Sequence, residues 1–178
     1  MNPIQQLYEQ LLHHPAWKKK QVIKRNEFLK VKGSADLNIY FVESGSLRIF
    51  IEDESDGHTI RFAYKNSLIT ALDSFLSGKP SPLCIQALKK STVRIMPKKE
   101  FMALMESDAF YATLWKNILE QLVLQQLERE IDLLTYSPAE RYRRVKERSP
   151  QVFQEVPHKY IASYLRMTPE TLSRIKKS

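Results

Sequence analysis

The chain has 178 residues, of which 43% are hydrophobic and 27% charged, a globular composition that excludes extended disorder. No apolar run approaches the roughly 18 to 20 residues of a membrane span, and no charged-then-apolar leader opens the chain, so a soluble cytoplasmic protein without a membrane partner is expected. A single cysteine, Cys84, excludes an internal disulfide framework and an all-cysteine metal or iron–sulfur site, and it reads as a small buried hydrophobe.

Residues 2 to about 14 place Ile4, Leu7, Tyr8, Leu11 and Leu12 on one side of a packing helix. His13 and His14 are adjacent and point apart on a helix, which favours a solvated helix end over a metal site. The run Lys18-Lys19-Lys20 reads as a solvated connection. Six strands rich in β-branched and aromatic residues follow: Phe28 to Val31, Ile39 to Val42, Leu47 to Ile51, Thr59 to Tyr64, Leu83 to Leu88 and Thr92 to Met96. Glu43-Ser44-Gly45 and Glu52 to Gly57 supply turns, and such close spacing argues for an antiparallel sandwich or barrel. Leu68 to Leu76 and Ser77-Gly78-Lys79-Pro80 interrupt the series as a short helix and loop, a place for a ligand pocket.

Pro97 ends the last strand, Lys98 to Met105 form a short helix, and Ser107 or Asp108 caps the next one. That next helix, Ala109 to Leu134, is the longest periodic segment. Leu114, Ile118 and Leu122 make one stripe, Leu124, Leu127, Ile131 and Leu134 another, with Leu119 and Val123 between them. Two stripes imply two partners, the barrel and a second copy of the chain, so a homodimer is expected, the alternative being a wide face buried within one monomer. Thr135 and Tyr136 form a hinge, and Ser137-Pro138-Ala139-Glu140 is a capping box opening a basic helix to about Arg148.

Val156 to Lys177 reads as a helix-turn-helix. Ile161, Ala162 and Leu165 share one face of a first helix, Met167 lies in the connection, and Leu172 and Ile175 share one face of a second. Thr168-Pro169-Glu170 starts the second helix with a hydroxyl cap, a proline at the first helical position and a carboxylate in the first turn. Glu170, Thr171, Ser173, Arg174 and Lys177 occupy its other face, with side chains able to hydrogen-bond in a major groove. The net charge of +8 is concentrated here: from Thr135 onward ten basic residues face four acidic ones, the pattern of a phosphate-binding surface.

The order of barrel, long helix, hinge and helix-turn-helix resembles the Crp/Fnr family of bacterial transcription regulators over nearly the whole chain. Ile39 to Phe50 looks like that family's strand-turn-glycine-strand signature, with Gly45 at the turn. The resemblance implies an α+β fold, an antiparallel jelly roll with flanking helices over residues 1–108, a dimerisation helix over 109–134 and a DNA-binding domain over 135–178. Because the sequence ends at Ser178, that last domain is expected to lack a C-terminal wing. Glu170, Ser173 and Arg174 match the base-reading residues of an Fnr-like recognition helix. Lys159, Thr168, Thr171, Lys176 and Lys177 are the expected DNA-backbone contacts.

The family's nucleotide pocket uses a Gly-Glu pair on the ribose and an Arg-Ser pair on the cyclic phosphate. An ungapped reading puts Thr70-Ala71 and Ser81-Pro82 at those places, a degenerate pocket without the cation that a bound phosphate requires. Cyclic AMP binding is therefore not expected, no cofactor is implied, and the effector, a small molecule if there is one, is unidentified. Arg166 stands where this kind of turn usually has glycine, and a left-handed conformation there costs about 1 kcal/mol.

The leading expectation is a dimeric regulator that binds a pseudo-palindromic operator in double-stranded DNA, with RNA polymerase among the partners the resemblance implies. The alternative is a non-enzymatic ligand-binding or protein-interaction module of the same fold with weak or lost DNA binding. An enzyme is not expected. The sequence has no paired-carboxylate cluster, nucleophile elbow or phosphate loop, and His58 and His158 are isolated.

Overall fold

The computed structural model describes residues 2–12, 14–17, 19–54 and 57–177. Helix α1 (Pro3–Leu11) is followed by a 3-10 turn (Pro15–Trp17) and eight strands: β1 (Lys20–Ile23), β2 (Phe28–Lys30), β3 (Asn38–Ser44), β4 (Ser46–Ile51), β5 (His58–Tyr64), β6 (Leu68–Ile69), β7 (Leu83–Ala87) and β8 (Ser91–Pro97). Helix α2 (Leu72–Ser77) lies between β6 and β7. After β8 come α3 (Lys98–Ser107), the long α4 (Ala109–Leu134), α5 (Pro138–Arg148), α6 (Val152–Glu155), α7 (His158–Tyr164) and α8 (Pro169–Lys177). The strands form two antiparallel sheets, ordered β1-β8-β3-β6 and β2-β7-β4-β5.

Strand alternation decides what each side chain touches. In β3, Tyr40 and Val42 point between the sheets, where they meet Leu47, Ile49, Val93 and Ile95. Ile39 and Phe41 point the other way, into a second core with Leu7, Leu11, Trp17, Phe101, Leu114 and Ile118 from the flanking helices. Each fully buried Leu, Ile or Phe stabilises this arrangement by about 1.5–3 kcal/mol. Gly45, with φ at +86°, turns the chain from one sheet into the other. A Cβ there would lie 2.2 Å from Ser91 Oγ and 2.5 Å from the Lys90 carbonyl, so both backbone and packing require glycine.

Several expectations need correction. Glu43 and Ser44 belong to β3, leaving Gly45 as the turn. The run at Lys18 to Lys20 is not simply a connection: Lys18 lies outside the described residues, but Lys20 opens β1 and pairs with Glu43 at 2.8 Å. β1 was missed because three of its four residues are exposed, so it lacks a clear apolar alternation. Leu68 to Leu76 contains the short strand β6 as well as α2. Leu12, which caps the end of α1, is exposed to solvent and does not join the packed face. The reading of His13 falls outside the described residues.

The long helix begins at the Asp108 cap, whose carboxylate accepts from the Phe110 N–H at 2.7 Å. Its first half is sealed on the barrel through Leu114, Trp115 and Ile118. Its second half leaves Val123, Leu124, Leu127, Ile131 and Leu134 exposed. A third core joins α5, α6, α7 and α8 through Val145, Val152, Ile161, Ala162, Leu165 and Leu172, and Phe62 and Tyr64 of β5 pack against it. The C-terminal helices thus rest on the outer face of the second sheet.

Candidate nucleic-acid interface and effector cavity

The helical C-terminal part fits a helix-turn-helix, and its turn is built atom by atom. Arg166 has φ at +54°, the left-handed conformation expected of it. Its N–H donates to the Ser163 carbonyl at 3.1 Å, and the Met167 N–H donates to the Ala162 carbonyl at 3.0 Å. This is the Schellman pairing that ends a helix at a left-handed residue. Thr168 then caps α8, its hydroxyl accepting from the Thr171 N–H at 3.2 Å. Leu172, fully buried, anchors α8 against Ile161, Ala162 and Leu165.

Arg141 holds this turn, a role the sequence did not reveal. Its buried guanidinium donates to the Leu165 carbonyl at 2.9 Å and the Arg166 carbonyl at 3.2 Å, satisfying groups that the end of α7 leaves open. It also donates to the carbonyls of Thr135, at 2.6 Å, and Tyr136, at 3.0 Å, so the connection read as a hinge is held in place. Arg144 and Arg148 clamp α5 to α4, both reaching the fully buried carboxylate of Asp132 and the half-exposed one of Glu128. Arg143 pairs with Glu140 at 2.7 Å and Glu147 at 2.8 Å. Of the intended capping box, Ser137 accepts from the Glu140 N–H at 3.3 Å, while the Glu140 carboxylate goes to Arg143. Four of the ten C-terminal basic residues therefore act within the fold, and the excess positive charge overstates the surface available to phosphates.

Glu170, Ser173 and Arg174 are all exposed, and their i, i+3, i+4 spacing puts them on one face of α8. The Glu170 carboxyl is held below the ordinary carboxylate range, first by its own backbone N–H and then by the Thr168 hydroxyl. Lys176 and Lys177 are exposed in the last turn, and Thr168 is exposed at the cap. Thr171 is half-buried, and Lys159 on α7 lies with its ammonium 4.7 Å from the centre of the Tyr160 ring. Glu170, Thr171, Ser173, Arg174, Lys176 and Lys177 thus lie on α8 and Lys159 on α7, with Thr168 at the cap between them.

The expected effector residues are not gathered in the same way. A cavity of about 190 Å³ lies between the sheets' helix side and α4, with walls that include Leu68, Ile69, Thr70, Leu83, Trp115 and Ile118. Thr70 is on its wall, but its hydroxyl donates to the Asn38 carbonyl at 2.8 Å. Ala71 and Ser81 are sealed in the core, and Pro82 is exposed. The Ser81 hydroxyl accepts from the Leu83 N–H at 3.0 Å. The cation on the cavity wall is Arg61 of β5, a residue that sequence reasoning missed because a lone arginine in an alternating strand reads as solvent-facing. Among the described residues no His, Cys, Asp and Glu group could hold a metal ion. No described helix is long and apolar enough to cross a membrane.

The family model described as the cyclic nucleotide-binding domain matches residues 20–108, from β1 to the cap of α4, half of the chain. The chain belongs to the cyclic nucleotide-binding domain family. No curated protein matches the chain in sequence. Among solved structures, it is similar to FixK2 from Bradyrhizobium japonicum, at 20% identity and a TM-score of 0.69, covering 89% of this chain and 82% of that one. It is also similar to a cyclic nucleotide-binding domain containing protein from Listeria monocytogenes EGD-e, at 16% identity and a TM-score of 0.67, over 98% and 89% of the two chains. A third is a transcriptional regulator of the CRP family from Thermus thermophilus, TTHB099, at 17% identity and a TM-score of 0.63, over 88% and 82%. At these coverages the likenesses extend beyond the matched domain, and they show a shared fold.

Proposed function

We propose that this member of the family is a homodimeric, sequence-specific DNA-binding transcription regulator of the Crp/Fnr type that does not respond to cyclic AMP. The observation that carries the reading is α8: one face is sealed by Leu172, and the opposite face presents Glu170, Ser173 and Arg174 to solvent. Arg174 would donate two hydrogen bonds to the acceptor edge of a guanine, Glu170 would accept from a cytosine amino group, and Ser173 would add a less selective contact. Lys159, Lys176 and Lys177 would hold phosphates, as would the hydroxyls of Thr168 and Thr171.

The exposed stripe Leu124, Leu127, Ile131 and Leu134 supports a dimer through paired α4 helices. Two α8 helices would then enter successive major grooves about 34 Å apart on a pseudo-palindromic operator. Residues 1–108 act as the sensor domain, 109–134 as the dimerisation helix and 135–178 as the DNA-binding domain. Thr70, Ala71, Ser81 and Pro82 supply no cation for a cyclic phosphate, and their polar groups are engaged or buried, which supports a pocket that no longer takes cyclic nucleotides. Selection of binding sites from random duplex DNA tests the reading. Enrichment of a palindrome supports it, and recovery of no preferred sequence overturns it.

A further inference from the structure

Where β5, the second half of α4 and the α5–α6 junction meet, the structure forms a cleft of about 590 Å³ that adjoins the apolar cavity under α4's first half and shares Arg61, Phe62, Leu68 and Leu122 with it. Its walls include Arg61, Lys65, Arg129 and Arg148, and no aspartate or glutamate is among its lining residues. A cleft with four cations and no carboxylate on its walls is electrostatically one-sided.

The cations differ in how fully they are satisfied. Arg148 is paired with Asp132 and Glu128. Arg129 is 6% exposed; its Nη2 donates to the Tyr164 carbonyl and its guanidinium lies 3.7 Å from the centre of the Tyr164 ring, but its buried Nη1 has no hydrogen-bond partner. Arg61 donates to the neutral Gln125 Oε1 at 3.2 Å and forms no ion pair among the described residues. Burial draws both Arg61 and Arg129 below the ordinary guanidinium range, with the Tyr164 hydroxyl offsetting it in part. Buried charges in folded proteins are normally paired, and a buried donor without a partner is costly. Arg129 falls short of this, and half-buried Arg61 stands beside it on the same open cleft of ordinary ligand size with only a neutral partner, which leaves a site that a negative charge would complete.

We infer that this cleft binds a small multivalent organic anion, bearing phosphate or carboxylate groups, through Arg61, Arg129 and Lys65. The Arg61 and Arg129 guanidinia supply charge-assisted donors, and exposed Lys65 adds a flexible one from the turn after β5. Because the walls come from the barrel, α4 and the C-terminal helices, an occupant ties the three together and stabilises their arrangement. The inference does not depend on α8 binding DNA.

The test uses the full chain, with pyrophosphate and citrate as probes and ionic strength held constant with potassium chloride. Calorimetry is expected to show saturable binding of at least one probe, one per chain, with Kd on the order of 0.1 mM and a matching rise in Tm. The probe that binds tells phosphate from carboxylate recognition. Arg61→Gln is expected to weaken binding about tenfold and Lys65→Gln about threefold, while Lys177→Gln, on α8, leaves it unchanged. Lys65 is exposed, so its variant retains the fold even where Arg61→Gln does not. Absence of saturable binding by either probe overturns the inference, as does binding that survives both cleft variants or is lost in Lys177→Gln.

Discussion

In the barrel, interiors are closed by strand alternation: Tyr40 and Val42 face one core, Ile39 and Phe41 the other, and two large apolar clusters result. The C-terminal helices share one smaller core and add guanidinium clamps, with Arg141 on four backbone carbonyls and Arg144 and Arg148 on Asp132. The comparison teaches that arginine in this chain has two separate uses. In α5 it stabilises the fold, whereas Arg174 on exposed α8 and Arg61 and Arg129 along the cleft are the ones we propose to meet partners. Charge counted along the sequence cannot separate the two.

The sharpest way to break this contrast is Arg141→Ala. It leaves four carbonyls without their donor and is expected to cost about 3–5 kcal/mol, confined to the C-terminal helices. The two tryptophans, Trp17 and Trp115, both sit in the barrel-side core, so tryptophan fluorescence should keep its unfolding midpoint while circular dichroism loses helix. A fluorescence midpoint that falls in step would show that the two regions unfold as one.

Next in size, replacing both Leu127 and Ile131 by Glu puts charges into the exposed stripe of α4 and is expected to yield monomers in sedimentation. Each is half exposed, so the monomer should keep its Tm within a few degrees. A dimeric double variant would place the interface elsewhere.

A smaller effect is expected on the helix side of β3, at the ion cluster around Glu43. Glu43 is 17% exposed and accepts from Lys20, Arg94 and Tyr8. Burial works to raise its carboxyl, but the hydrogen bonds from Lys20 and Arg94 outweigh it, and the group is held below the usual range. Its contribution is then present above the unfolded carboxylate value near 4.3 and lost as pH falls through the lower folded value. Wild type should exceed Glu43→Gln by about 1 kcal/mol at pH 7, with the gap closing toward pH 3. A gap that widens in acid would mean that Glu43 is not held as its charged form. The smallest expected effect is that of cyclic AMP and cyclic GMP, for which calorimetry should register no saturable heat, and a micromolar Kd for either would show that the ungapped pocket reading is wrong.

Much of the fold was legible because periodicity and capping carry it. α4 starts and stops at Ala109 and Leu134 as its apolar spacing and the Asp108 cap imply, and α5 follows from Ser137-Pro138. β1 and β6 were not legible, since a mostly exposed edge strand and a two-residue strand leave no alternation to read. On α8 the sealed and exposed faces separate as the spacing implies, because one short amphipathic helix contains its own evidence. Arg141, Arg61 and Arg129 were illegible for the opposite reason: their partners are Leu165, Gln125 and Tyr164, 24 to 64 residues away in sequence.

The central claim is that α8 reads base edges while the neighbouring lysines hold phosphates, and one binding experiment separates these roles. Wild type, Arg174→Ala and Lys177→Ala are titrated onto the selected operator, onto its single-base variants and across a range of salt concentrations. Arg174→Ala should cost about 1–3 kcal/mol on the operator and relax the preference at one base pair of each half-site, whereas Lys177→Ala should weaken all sequences alike and make the salt slope shallower by about one. If Arg174→Ala lowers affinity equally for every sequence, Arg174 holds a phosphate and the account of how this protein reads DNA is contradicted.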